Sequence, residues 1–312
     1  MIKKITIESF KSIKSLEFKC NRINVFIGPP NSGKSNILEA LAYPCYLFMS
    51  EKMEMNLRDF IRYYHKSDLF YDNEVANPIN IRFDDYLLKI KLNGADKTKE
   101  ELFKSGKEIS IADYQGPFFR YYKFIDIESF NSTLTEFLLP PNGKNLLFLL
   151  LTHKNLKEMI IEILKPFNLS LGLRKNEYKI EVTKNVDGIT ISYPYSTVSD
   201  TLKRLIFHII AIETNFNSVL IFEEPEMHAF PHYSKFFAEK VALNKNNNNQ
   251  YFFSTHNPYF LLSLLQKTND VNVFATYWAN SQTNLQLLDN EEILSYESDI
   301  FFNLDNIIED AK

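Results

Sequence analysis

Residues 28–35 have the sequence Gly-Pro-Pro-Asn-Ser-Gly-Lys-Ser, in which a lysine and a serine follow the second glycine. Glycine lets consecutive backbone N–H groups turn toward one anion, and the lysine adds a positive charge beside them. A serine hydroxyl directly after the lysine is a suitable Mg²⁺ ligand. The spacing predicts a phosphate-binding loop for ATP with Mg²⁺. The predicted nucleotide-binding residues are Gly28, Asn31, Ser32, Gly33, Lys34, Ser35 and Asn36.

Two adjacent carboxylates, Glu223 and Glu224, follow the apolar run Val-Leu-Ile-Phe at residues 219–222. Ligands in α/β proteins bind outside the carboxyl ends of the strands, which is where such a run delivers its acids. One acid can organise a magnesium ion and the next can polarise an attacking water. Acidic residues after a strand are commonly solvated loop charges, so the prediction depends on the phosphate-binding loop.

A third apolar run ends in Ser254-Thr255-His256, with the histidine 32 residues after Glu224. If this strand lies parallel to the one that carries the acids, its end meets them at the same sheet edge. The imidazole would then reach a γ-phosphate oxygen or the attacking water. We therefore predict Glu224 and His256 as catalytic residues.

The elements that must hold these residues form an α/β pattern. An apolar strand at 23–27 leads into the loop, and apolar residues at helical spacing over 35–43 predict a helix that ends before Pro44. Alternating runs at 5–10, 16–18, 79–83 and 86–92 predict antiparallel strands. We expect one domain over residues 1–312, with a core at about 1–45, 76–128 and 218–312. Helical insertions are expected at about 46–75 and 129–217.

Composition favours a globular protein in the cytoplasm. The 312 residues carry a formal net charge of −4 and are 45% hydrophobic. The cysteines, Cys20 and Cys45, lack metal-site spacing. Apolar runs are shorter than the roughly 20 residues that span a bilayer, so no membrane partner is expected. The asparagine-rich run at 244–249 predicts a solvated connector.

At these motifs the chain resembles the ABC-type ATPases of the SMC, RecF and OLD-like group. Residues 33–41, Gly-Lys-Ser-Asn-Ile-Leu-Glu-Ala-Leu, look like that group's phosphate-binding loop and first helix. The resemblance covers roughly residues 1–45 and 190–262. It implies an ABC-like P-loop NTPase fold, with a mixed α/β core, N-terminal antiparallel β elements and an inserted helical lobe.

The resemblance also implies roles for particular residues. Glu223 stands at the metal-organising acid, where the family usually has aspartate, and His256 stands at the switch histidine. The family's signature motif, which contacts ATP held by a second subunit, corresponds to Ser199 and Asp200, with Thr201 at the usual glycine. Ser199 and Asp200 are also plain N-cap candidates for the helix that follows them. The metal-sensing glutamine is matched by position alone to Gln115, so the metal site comprises Ser35, Glu223 and Gln115.

Three functions remain open on the sequence. The favoured one is an ATP-hydrolysing dimeric switch that controls a separate protein effector, as in similar phage-defence and toxin–antitoxin proteins. The alternatives are a RecF-like DNA-binding clamp and a scaffold that binds ATP without hydrolysis. Residues 45–190 show no sustained heptads, and 56 residues follow His256, so neither a coiled-coil tether nor an appended nuclease is expected.

Overall fold

The computed structural model of the chain describes residues 1–94, 96–131, 133–295 and 300–311. Its strands are β1 (Lys4–Phe10), β2 (Ile13–Lys19), β3 (Ile23–Ile27), β4 (Ile79–Phe83), β5 (Tyr86–Leu92), β6 (Thr98–Lys104), β7 (Lys107–Ile109), β8 (Phe118–Tyr122), β9 (Ser170–Arg174), β10 (Lys179–Val186), β11 (Ile189–Pro194), β12 (Ser218–Glu223), β13 (Gln250–Ser254), β14 (Val271–Ala279) and β15 (Gln282–Leu288). Its α-helices are α1 (Lys34–Ser50), α2 (Leu146–Thr152), α3 (Lys154–Leu164), α4 (Asp200–Glu213), α5 (Pro231–Leu243), α6 (Pro258–Lys267), α7 (Asn290–Ser295) and α8 (Ile300–Ala311).

The central sheet has six strands in the order β15-β14-β3-β13-β12-β8. Adjacent strands are parallel except β14 and β15. Sheets covered on both faces have continuous apolar strands, as in β3, β12 and β13. The carboxyl ends of these three strands lie at one edge, so the loops that follow them are neighbours. This arrangement confirms the predicted mixed sheet.

Alternate residues of the central strands pack into two cores. Tyr251 and Phe253 of β13 lie in one hydrophobic cluster with α4 and α5, whereas Phe252 lies in the other cluster with α1. Successive side chains of a strand point to opposite faces, which explains the division. The sheet is therefore fixed from both sides.

The N-terminal antiparallel elements form a second six-stranded sheet, ordered β2-β1-β4-β5-β6-β7. This confirms the predicted antiparallel β elements. The segment predicted as the larger helical insertion contains α2, α3 and α4 but also a three-stranded sheet, β11-β10-β9. In residues 46–75, α1 continues to Ser50 and short 3₁₀ helices follow.

Two local predictions were wrong. Helix α1 continues through Pro44, although proline removes one helical hydrogen bond. Its neighbours Tyr43 and Cys45 are fully buried, so tertiary packing outweighs that loss.

The second concerns the run at 244–249, where Asn247 and Asn249 are buried. Asn247 donates to the Ile212 carbonyl, and Asn249 donates to the Asn215 carbonyl and accepts from the Ser218 amide. These amides satisfy backbone groups between α4 and β12, so the run is not a solvated connector.

Among the described residues, no helix combines the length and the apolarity needed to cross a bilayer.

Candidate functional site

The predicted phosphate-binding loop lies between β3 and α1, at the carboxyl edge of the central sheet. Gly33 is the N-cap of α1 and has φ 101°, a left-handed conformation that other residues rarely adopt. A Cβ atom there would lie 2.0 Å from Thr283 Oγ1. Glycine is therefore required at this position by both backbone and space. Helix N-termini offer amides to anions, and α1 begins directly at this loop.

Lys34 is the first residue of α1 and is 6% exposed. Its Nζ donates to the carbonyl oxygens of Gly28 at 2.8 Å and Pro29 at 2.9 Å. Burial lowers the pKa of Lys34 to about 8, and the charge of Glu224 opposes that shift. An ammonium held mainly by carbonyl dipoles is suited to a phosphate anion, which would relieve its desolvation.

Side-chain hydrogen bonds connect the loop to distant parts of the chain. Ser32 Oγ lies 2.5 Å from the hydroxyl of Thr276 on β14. Asn36 donates to the Ser12 hydroxyl at 2.6 Å, and that hydroxyl lies 2.7 Å from Thr283 Oγ1. Asn36 therefore holds α1 against the β1–β2 turn.

The predicted catalytic pair, Glu224 and His256, lies where β12 and β13 end. Glu224 has φ 44°, and its N–H donates to the carbonyl oxygen of Ser254 at 3.1 Å. Its Oε1 atom lies 3.3 Å from Nε2 of His256. Burial and the charge of Lys34 lower the pKa of His256, while Glu224 raises it. A left-handed non-glycine residue costs about 1–3 kcal/mol and is held in place by such surrounding contacts.

The carboxylate of Glu223 is engaged by residues that the sequence did not indicate. Arg62 Nη2 lies 3.2 Å from Glu223 Oε1, and the Tyr121 hydroxyl donates to Oε2 at 3.2 Å. Arg62 also pairs at 2.6 Å with the buried Glu39, which forms a second ion pair with Lys11. The sequence could have indicated Glu39, because it lies four residues after Ser35 and therefore on the same face of α1. Arg62 lies in an irregular segment without such a signal.

A cavity of about 460 Å³ brings most of the predicted groups together, although Gly28, Ser32 and Glu223 are not among its described lining residues. It is lined by Pro30, Asn31, Gly33, Lys34, Ser35, Asn36, Arg62, Glu224 and His256. Backbone amides, an ammonium and a serine hydroxyl face two acid–base groups across this space. The donor set and the glycine-dependent loop fit a nucleoside triphosphate with Mg²⁺.

Gln115 lies away from this cavity. It precedes β8 and lines a different cavity with Asn217, Asn248 and Gln250, at the amino ends of the strands. The five residues of β8 put roughly 16 Å between the two sheet edges. This placement contradicts the prediction of Gln115 as part of the metal site, which depended on its position in the sequence alone.

The predicted signature residues begin α4. Ser199 is exposed and its hydroxyl accepts from the Leu202 amide, so it is an N-cap. Asp200 pairs with Arg204 at 2.7 Å, and Lys203 is buried in an ion pair with Asp126. Neither Ser199 nor Asp200 is among the described residues that line the cavity. Lys203 and Arg204, the two cations that follow the predicted signature residues, therefore form ion pairs within the subunit.

A family model described as "AAA domain, putative AbiEii toxin, Type IV TA system" matches residues 58–263, about two thirds of the chain. The chain belongs to this family. The match includes the acids and histidine of this AAA-domain chain and begins after its phosphate-binding loop. No curated protein matches the sequence.

Solved structures similar to this AAA-domain chain include SMC heads. The SMC head domain from Thermotoga maritima gives a TM-score of 0.51 at 14% identity, covering 92% of this chain and 99% of that chain. An SMC head bound to the C-winged helix domain of ScpA gives 0.60 at 12% identity, with 95% and 99% covered. An SMC head with an extended coiled coil, bound to the C-terminal domain of ScpA derived from Pyrococcus furiosus, gives 0.60 at 11%, with 94% and 97% covered. The AAA-domain chain therefore has the P-loop NTPase fold of an SMC ATPase head.

Proposed function

We propose that this protein binds ATP with Mg²⁺ and hydrolyses it to ADP and phosphate. The observation that supports this best is the shared cavity, in which Lys34 and the helix start face Glu224 and His256. Positive groups for a triphosphate and an acid–base pair for water are the two requirements of phosphoryl transfer to water.

Each residue has a specific role in this proposal. The amides of residues 31–34 and the Lys34 ammonium bind the phosphates, and Ser35 with Glu223 would hold Mg²⁺. The ion supplies charge neutralisation at the phosphates. Glu224 accepts a proton from the attacking water, and His256 donates a hydrogen bond to the γ-phosphate from its position 3.3 Å from Glu224.

Arg62 must change partner for this site to work. Its guanidinium holds the carboxylate of Glu223 at 3.2 Å and also lines the cavity. Release from Glu223 frees the acid for the ion and leaves Arg62 next to the phosphates. Arg62 is 57% exposed as a side chain, so the movement breaks a weak ion pair.

The decisive experiment compares Glu224→Gln with Lys34→Ala. Glu224→Gln is expected to bind ATP normally and to slow phosphate release by about 10² or more, the scale of a lost general base. Lys34→Ala is expected to abolish ATP binding because it removes a charge-assisted contact. Lys154→Ala, at an exposed lysine of α3, is the matched control.

The outcomes separate the competing functions. ATP binding without phosphate release by the unmodified protein would favour a scaffold over an enzyme. A large loss in Glu223→Gln without one in Glu224→Gln would reverse the roles of the two acids. Unchanged ATP affinity in Lys34→Ala would refute the nucleotide site.

We further propose an ATP-dependent homodimer in which Ser199 and Asp200 of a second copy complete the site. Ser199 is exposed at a helix start and is absent from the described lining of its own subunit's cavity. Helix N-termini bind phosphate. Such a two-fold interface uses the same surface twice and encloses two ATP molecules. Sedimentation of the Glu224→Gln protein should show dimers with ATP and monomers with ADP; monomers with both would refute the dimer.

The dimer would act as a switch for a separate effector protein in toxin–antitoxin function or phage defence. The family description names a putative toxin of a type IV system, and two similar SMC heads are bound to domains of ScpA. These likenesses support a protein partner. ATP-dependent retention on DNA, with no effector, would favour the RecF-like clamp instead.

A further inference from the structure

The loop that follows the two acids contains a buried carboxyl group with no role in the proposed chemistry. Glu226 is 6% exposed, and its Oε1 accepts a hydrogen bond from the hydroxyl of Thr255. Its Oε2 has no hydrogen-bond partner. Among the described residues no lysine, arginine or histidine forms an ion pair with Glu226. Burying an acid without a cation destabilises a fold, so stability does not explain this residue.

The partner of Glu226 directly precedes the switch histidine. The Thr255 hydroxyl donates to Glu226 and also accepts from the Asn257 amide at 3.0 Å. One hydroxyl therefore ties the residues on both sides of His256. Asn257 in turn caps α6 by accepting from the Phe260 amide. The backbone at His256 is thus set by the contact between Glu226 and Thr255.

A second cross-link joins the same two segments next to Glu224. The Glu224 amide donates to the Ser254 carbonyl, which ends β13. The segments that carry the acid and the histidine are consequently joined twice, from Glu224 to Ser254 and from Glu226 to Thr255. Loss of either connection would let the 3.3 Å contact between the carboxylate and the imidazole open.

We propose that Glu226 is a positioning residue for the ATPase reaction, whose buried carboxyl holds Thr255 and thereby places His256 against Glu224. This inference rests on the proposed function. Displacing a reacting group by about 1 Å costs about 10²-fold in rate, whereas substrate binding depends on groups elsewhere in the cavity. A defect here should therefore appear in kcat and not in KM.

The test uses four variants that differ in one hydrogen bond. Glu226→Met removes both oxygens at similar length, and Thr255→Val removes the hydroxyl at similar shape. Each should lower kcat at least tenfold with KM for ATP within about twofold. Glu226→Gln keeps an acceptor and Thr255→Ser keeps the hydroxyl, so both should stay within about threefold of the unmodified protein. The double variant that combines Glu226→Met and Thr255→Val should be no slower than either single variant, because both substitutions remove the same hydrogen bond.

A measurement without ATP separates this inference from the proposed function. The NMR signal of the His256 imidazole, assigned by its loss in His256→Gln, reports the position of the ring. In Glu226→Met and Thr255→Val its titration midpoint should move toward the ordinary value of about 6.5, because the ring leaves its partly buried position. If the unmodified protein releases no phosphate, the enzyme proposal fails, while this signal still decides whether Glu226 positions His256. An unmoved signal, or unchanged kcat, in both variants would overturn it.

Discussion

Glu226→Gln is expected to stabilise the protein at alkaline pH and to change its stability little at acidic pH. Burial raises the pKa of Glu226 from 4.5 to about 7, and the charge of Glu224 contributes to the shift. Between these values the folded chain keeps a proton that the unfolded chain has lost. Folding therefore becomes less favourable as pH rises from about 4.5 to about 7, and the penalty is constant above pH 7. Glutamine cannot ionise, so it removes the penalty.

The magnitude follows from the gap between the two pKa values. A difference of about 2.5 corresponds to about 3 kcal/mol in the free energy of unfolding. We expect this gain in urea unfolding at pH 8.5 and less than about 1 kcal/mol at pH 5. Glu128→Gln, at an exposed carboxyl outside the site, is the control and should show no gain. A gain of equal size at both pH values, or a loss at pH 8.5, would refute the assignment of a neutral buried acid.

Three further experiments probe the loop, the metal site and the dimer. Gly33→Ala should lower ATP affinity at least tenfold in titration calorimetry, because the added Cβ would lie 2.0 Å from a threonine hydroxyl; an unchanged Kd would contradict the loop geometry. Arg62→Ala should lower the Mg²⁺ concentration for half-maximal hydrolysis by up to about fivefold, the worth of an exposed ion pair. Arg58→Ala is its control, and an equal Mg²⁺ dependence of the two variants would exclude competition between Arg62 and Mg²⁺ for Glu223. Mixed Lys34→Ala and Ser199→Arg subunits should regain about a quarter of normal activity, since half the dimers contain one intact site; no recovery after confirmed mixing would refute shared sites.

The parts of the site that the sequence predicts are those with a local signature. The loop at 28–35, the acids after β12 and the histidine after β13 each follow an apolar strand. Parallel strands deliver their carboxyl ends to one edge, so Lys34, Glu224 and His256 had to meet once the sheet was parallel.

The parts that the sequence missed depend on tertiary packing. Arg62 reaches Glu223 from a segment of short 3₁₀ helices, and Thr283 meets Gly33 from the other end of the chain. No spacing rule connects residues so far apart. The prediction of Gln115 as a metal-site residue failed for a related reason. Its position along the chain did not reveal at which end of β8 it lies.

The buried asparagines also bear on what sets the register of the chain between α5 and β13. Residues 246–249 are four consecutive asparagines, of which 247 and 249 are buried and 246 and 248 are exposed. A shift of the run by one residue would place an identical side chain at both inward positions, so these amides do not by themselves select one register. The register is selected by the residue that follows the run, because the buried side chain of Gln250 donates to the carbonyl oxygens of Ile2 and Asn21.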